Sequence, residues 1–198
     1  VANVENLLIE SGFHLSDKKR KTYSQEIQEG YVLDFEPELG NWRDVDSLVI
    51  TLKSKKFGVF MERLFNNTDA CDYSERMQLS NSDGCLGMAT VIVEYDHEPS
   101  LFTANGEILI GDFLDRLSSV KNVQDIYNIF YFEKTNKLLA MIEGVWVQLF
   151  FMLESNIDVE KIEEQLRELP SDFAKPEKKS FDLKSIHTFE GEYKGLVN

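Results

Sequence analysis

Asp96-His97-Glu98 is the densest group of side chains able to move protons or bind a metal. Three neighbours at the end of a strand point to alternate faces, so they do not converge on one ion, and Pro99 behind them fits a hydrated turn. Cys71 or Cys85 could form a thiolate–imidazole pair with His97 only if the polar segment between the cysteines folded back over that strand end. His14, His97 and His187 are far apart, and no HExxH or CxxC spacing occurs. There is no GxSxG elbow or GxxxxGK[ST] loop, and Gly84-Cys85-Leu86-Gly87 is too short to cradle a phosphate. Carboxylates stand close in sequence at Asp44 and Asp46, Asp69 and Asp72, and Asp112 and Asp115. With 35 acidic residues in the chain such pairs arise by chance, and Asp69 to Asp83 lacks the ligand pattern of a calcium loop. The sequence therefore assigns no catalytic residue, metal ligand or cofactor.

Charge says more. The 198 residues carry 21 Lys and Arg against 35 Asp and Glu, a net −14, which opposes binding to a phosphate backbone. Gln25 to Asp46 and Asp69 to Glu98 each hold seven acidic residues and one Arg, a balance of −6. Read as loops and strand ends, these stretches form acidic rims suited to a basic protein, with Asp44, Asp46, Asp69, Asp72, Asp83, Asp96 and Glu98 as the partner-binding residues. The expected function is that of a non-catalytic protein that neutralises or sequesters such a partner, as an inhibitor, an immunity protein or a mimic of nucleic-acid charge. Direct nucleic-acid binding is not expected. A small hydrolase or transferase with a site assembled from distant residues is the first alternative, and an accessory subunit of a larger assembly the second. Acidity that serves only solubility is the bland explanation of the same charge.

The longest apolar run, Val145 to Leu153, falls well short of the ~20 residues that cross a bilayer, so no membrane partner is expected. The cytoplasm is the expected location, although a chain that begins at Val1 is compatible with a removed leader. Cys71 and Cys85 read as two thiols rather than a staple.

A composition of 42% hydrophobic and 28% charged residues is globular, and without repeats or a Pro/Gly-rich linker residues 1–198 read as a single α+β domain. Val4, Leu7 and Leu8 predict a short helix over Asn3–Ser11. The basic run Asp17 to Lys21 follows as a solvated loop. Gly30–Phe35 and Ser47–Leu52 have strand character, and Lys53 to Lys56 then joins the second to Phe57–Leu64 as a hairpin. After a polar loop, Asn67 to Gly87, the β-branched run Ala89–Tyr95 predicts a central strand. Asn105-Gly106 marks a turn, and Leu109, Phe113, Leu114 and Leu117 predict a helix from Leu109 to Val120. Ile126–Glu133, Leu138–Ile142 and Val145–Leu153, with short connections, predict a three-strand meander. A helix capped by Asp158 and ended by Pro170 follows. Ser180–Tyr193 then reads as one or two edge strands protected by Lys184 and Lys194. The whole is an α+β fold, mainly antiparallel sheet, with the C-terminal meander packed against two or three helices.

Overall fold

The computed structural model describes residues 4–38, 42, 47–67, 84–94, 98–103, 106–132, 140–141, 144–157, 161 and 183–197. Contacts divide the chain into two units, Val1–Lys53 with Gly87–Ala140, and Ser54–Leu86 with Met141–Asn198.

In the first unit, helix α1 (Val4–Glu10) buries Val4 and Leu8. Gly12 ends it with φ +92, while Gly12 N–H donates to the Ile9 carbonyl and Phe13 N–H to that of Leu8. This is a Schellman closure, whose left-handed residue is best supplied by glycine. Seven strands then pair in chain order as an antiparallel sheet: β1 (His14–Asp17), β2 (Thr22–Gln28), β3 (Tyr31–Pro37), β4 (Ser47–Ser54), β5 (Cys85–Glu94), β6 (Ser100–Thr103) and β7 (Gly106–Leu109). A two-residue strand, β8 (Ala140–Met141), pairs with β5. Tyr31, Leu33 and Phe35 on β3 and Leu48, Ile50 and Leu52 on β4 are buried, and the residues between them are partly exposed. That alternation belongs to a sheet with one packed face.

Helix α3 (Ile110–Ser118) turns Ile110, Phe113, Leu114 and Leu117 inward, and the capping box of Asn122 and Asp125 starts α4 (Val123–Tyr127). A wider π-type turn, Asn128–Phe132, continues it. A chain of edge-on rings ties sheet to helices: Phe13 to Phe35 at 5.3 Å, Phe35 to Phe113 at 6.3 Å and Phe113 to Phe130 at 6.0 Å. Each such pair adds about 0.5–1.5 kcal/mol to the area it buries.

Tyr23 joins α1 to β2, its Oη donating to Glu5 Oε1 at 2.6 Å, and meets Trp42 edge-on at 5.4 Å. That bond to the Glu5 carboxylate, then burial, pushes the phenol up from 10 to about 12. The unfolded chain loses this proton near pH 10 and the folded chain keeps it to about 12. The stability it brings is therefore complete below pH 10 and lost as pH rises from 10 to 12. Glu5→Gln should return the phenol toward 10 and flatten that alkaline decline, which urea unfolding across the pH range will measure.

In the second unit Ser54 both closes the strand and opens a helix. Its N–H donates to the Gly84 carbonyl at 2.8 Å, and its Oγ accepts from Phe57 N–H at 3.3 Å as the N-cap of α2 (Lys55–Asn67). Helix α5 (Gly144–Glu154) closes on Asn156, φ +54, with Asn156 N–H donating to the Leu153 carbonyl and Ile157 N–H to that of Met152. Helix α6 is Leu183–Val197. Phe150 sits among Phe57, Phe60, Phe151 and Tyr193, with ring centroids 5.1–6.3 Å away.

The N-terminal helix, the strands at Gly30–Phe35, Ser47–Leu52 and Ala89–Tyr95, and the helix after Asn105-Gly106 are found close to where the residues predict them, as are α+β class and antiparallel sheet. Four expectations are corrected. Phe57–Leu64 is no hairpin arm but part of α2, because buried Phe57, Phe60 and Met61 follow helical spacing behind the Ser54 cap. The C-terminal meander is not formed: Ile126–Phe132 is α4 and the π-type turn, Val145–Leu153 is α5, and β8 pairs with β5. Apolar runs of this length have no period to separate buried strand from buried helix. Ser180–Tyr193 is not edge strand either, since Leu183 onward is α6, where Lys194 pairs with Glu190 one turn back at 2.5 Å. Finally, the stretch Gln25–Asp46 is largely strand rather than loop over its described residues. The helix after Asp158, apart from residue 161, the connector Lys175–Lys179 and most of the polar loop lie outside the described residues.

Candidate functional site

Burying every second residue of the sheet against α1 and α3 leaves the other face polar and partly exposed: Met88, Ile92, Glu94 and Glu107 reach water, while Thr22, Ser24 and Ser100 are buried. Strands β2–β7 present the carboxylates Glu26, Asp34, Glu36, Glu94 and Glu107 there, with Lys53 as the one cation among the described residues. On β1–β4 the face is held by a line of polar contacts. Ser16 Oγ and Ser24 Oγ are 2.6 Å apart, Ser24 Oγ donates to Asp34 Oδ1 at 2.5 Å, and Lys53 Nζ lies 2.8 Å from Asp34 Oδ2. Register explains the line, since Ser24 stands directly opposite Asp34. Beside it Thr22 Oγ1 donates to Glu36 Oε2 at 3.3 Å. Asp34 already receives a hydroxyl and an ammonium, so its chemistry is to orient and stiffen rather than to abstract a proton.

On β5–β7 the same face turns apolar. Ile92 is 58% exposed and Met88 47%, large values for side chains of this kind. Ile92 stands opposite Phe102, and Phe102 opposite Glu107, so one row across three strands reads apolar, aromatic, acidic. In the next row Glu94 stands opposite Ser100 and Ser100 opposite Leu109. Glu94 and Glu107 are both exposed.

Of the predicted partner-binding residues, Glu98 is exposed between β5 and β6, while Asp44, Asp46, Asp69, Asp72, Asp83 and Asp96 lie outside the described residues. So do Cys71 and His97; Cys85 is buried at the start of β5. The basic run is the exposed turn between β1 and β2, where Asp17 Oδ1 accepts from the N–H groups of Lys19 and Arg20. The bond from Arg20, then that from Lys19, holds the Asp17 carboxyl below its ordinary value. Asp112 and Asp115 are both exposed on α3 and face water. Among the described residues no three His, Cys, Asp or Glu side chains gather as metal ligands, and no helix is long and apolar enough to cross a membrane.

Sequence reasoning missed the strand-face carboxylates and the apolar row. Asp34 and Glu36 alternate with Leu33 and Phe35, which is a readable signal. Ile92 lies within Val91-Ile92-Val93, where both faces are apolar and no alternation marks the outward residue.

A second polar group, in the other unit, joins three helices. Glu154 accepts from Lys56 Nζ and from Tyr193 Oη, and Lys56 Nζ is also 3.1 Å from Tyr193 Oη and 4.9 Å from its ring centre. Burial, then the bond to Glu154, raises the Tyr193 phenol above its ordinary value. A phenol so held keeps its proton and serves as a fixed donor, not a base.

Over the described residues of the first unit, fold and face together define helices on one side of an antiparallel sheet and an acidic, partly apolar and partly exposed surface on the other. Comparison with known proteins found no matching family model, curated protein or solved structure.

Proposed function

We propose that this chain is a non-catalytic binding protein that neutralises or sequesters a basic protein, in the manner of an inhibitor, an immunity protein or a mimic of nucleic-acid charge. The observation that supports this reading is the open sheet face, on which exposed Ile92 and Met88 stand beside the carboxylates Glu94 and Glu107. Exposed apolar side chains within an acidic field supply the two things such a complex needs. Charge speeds and orients the encounter, and desolvated apolar contacts slow dissociation. The acidic residues Asp44, Asp46, Asp69, Asp72, Asp83, Asp96 and Glu98 would extend the same negative field.

The two contributions separate in a kinetic experiment with a partner recovered by affinity capture from the native cell. Glu94→Lys with Glu107→Lys should lower the association rate about tenfold or more at low salt and leave little difference at high salt. Ile92→Ser should instead raise the dissociation rate. An association rate independent of salt, or a captured set unchanged by both variants, would overturn the proposal.

A further inference from the structure

We infer that the occupant of the open face is a basic amphipathic α-helix of the partner, laid along β5 with its apolar stripe on Met88, Ile92 and Phe102. This rests on the reading of the face as an acidic binding surface and names what that surface takes. Met88 and Ile92 are four strand steps apart, about 13 Å, with exposed Thr90 between them on the same face, and two turns of helix, from residue i to i+7, span about 10.5 Å. The apolar strip therefore matches a two-turn stripe. Strands β3 and β7 each lie two strands from β5, about 10 Å to either side. Glu107 lies on the β7 flank and Glu94 on β5 itself, while on the β3 side Asp34 is already paired with Lys53 of β4. A helix about 10–12 Å wide centred on β5 would thus hold Lys or Arg on the β7 side of its stripe within reach of Glu94 and Glu107. Met88 suits such an occupant, because an unbranched thioether adapts to the side chains laid on it.

Other occupants fit less well. An added basic strand at β1 would meet the exposed Lys18-Lys19-Arg20-Lys21 turn, which repels it. In a second copy, α1 bears Glu5 and Glu10 and the outward side of α3 bears Asp112 and Asp115, so neither offers a basic stripe; α2, with Lys55, Lys56 and Arg63, is the helix of a second copy that sedimentation tests.

The test uses the full chain and four labelled Leu/Lys or Leu/Glu peptides of equal length. One Leu/Lys peptide has the helical stripe, one has strict Leu/Lys alternation, one has the stripe scrambled, and the Leu/Glu peptide keeps the stripe with inverted charge. The striped Leu/Lys peptide should bind, gain helicity and lose affinity roughly tenfold to hundredfold against Ile92→Ser, a variant at an exposed site whose melting should match the wild type. Glu94→Lys with Glu107→Lys should weaken it by a factor that shrinks as salt rises. Equal binding of the alternating or scrambled peptide, or no binding of the striped one up to ~1 mM, would overturn the helix while leaving the acidic surface intact. Equal binding of the Leu/Glu peptide would overturn both. Sedimentation of the chain alone that revealed a dimer dissolved by Ile92→Ser would give the face to a second copy and overturn the inference.

Discussion

Alanine at Gly84 should cost about 4 kcal/mol or more, enough to unfold much of a domain with ordinary stability. Gly84 has φ +65, in the left-handed region, where a Cβ alone costs roughly 1–2 kcal/mol. The larger part is collision. A Cβ there would stand 1.9 Å from the Ser54 carbonyl oxygen, 2.8 Å from its carbon and 2.9 Å from Gly58 N, all backbone atoms. Ser54 cannot yield cheaply. It is 1% exposed, its N–H is bonded to the Gly84 carbonyl, and its Oγ caps α2, so moving it loses two hydrogen bonds, about 1 kcal/mol each, as well as breaking the end of β4. Gly30 is the control, with φ +78 and nothing within 4 Å of an added Cβ. Gly30→Ala should show the backbone penalty alone, about 1–2 kcal/mol. Denaturant unfolding of the two variants measures the difference, and equal losses would mean that Ser54 and the helix start behind it move freely.

The Ser54 corner also marks where sequence stops being legible. Strands β3 and β4 could be read because water covers one face, which forces Leu33 and Phe35, or Ile50 and Leu52, to alternate with polar or smaller residues. The stripe of α3 was equally plain. Strand β2 was not, since Thr22 and Ser24 serve the hydrogen-bonded outer face and leave Tyr23 as its one large buried side chain. In α2 the signal was present, a serine cap followed by Phe57, Phe60 and Met61 at helical intervals, but aromatic residues suggested a strand. In α5 there was no signal to use: Val147 and Leu149 to Leu153 are buried on every side, and a helix covered all round has no polar face to reveal its period. The candidate surface was half legible for related reasons. Negative charge could be counted, yet its place on strand faces, and the exposure of Ile92 between two buried valines, depend on which side of the sheet the helices cover.

That all-round burial makes Phe150→Ala the second large effect, an expected loss of about 3–5 kcal/mol. The ring is 0% exposed and touches Phe57 and Phe60 of α2, Phe151 of its own helix and Tyr193 of α6, so deletion leaves a cavity bounded by three helices. Tyr193→Phe takes only a hydroxyl from the same neighbourhood. It keeps the rings in contact and leaves Glu154 its Lys56 partner, so it should cost about 1–3 kcal/mol. The two losses differ in pH dependence. Burial and the Glu154 carboxylate raise the Tyr193 phenol above its ordinary 10, so the unfolded chain ionises there first. The stability from this proton is whole below pH 10 and falls away above it. Phe150→Ala should therefore lower unfolding free energy by a similar amount on both sides of pH 10. Tyr193→Phe should lower it at neutral pH and then lose less than the wild type on the alkaline side. Urea titrations at neutral and alkaline pH decide the matter, and an alkaline decline identical in wild type and Tyr193→Phe would mean that the phenol among Lys56, Glu154 and Phe150 contributes by packing alone.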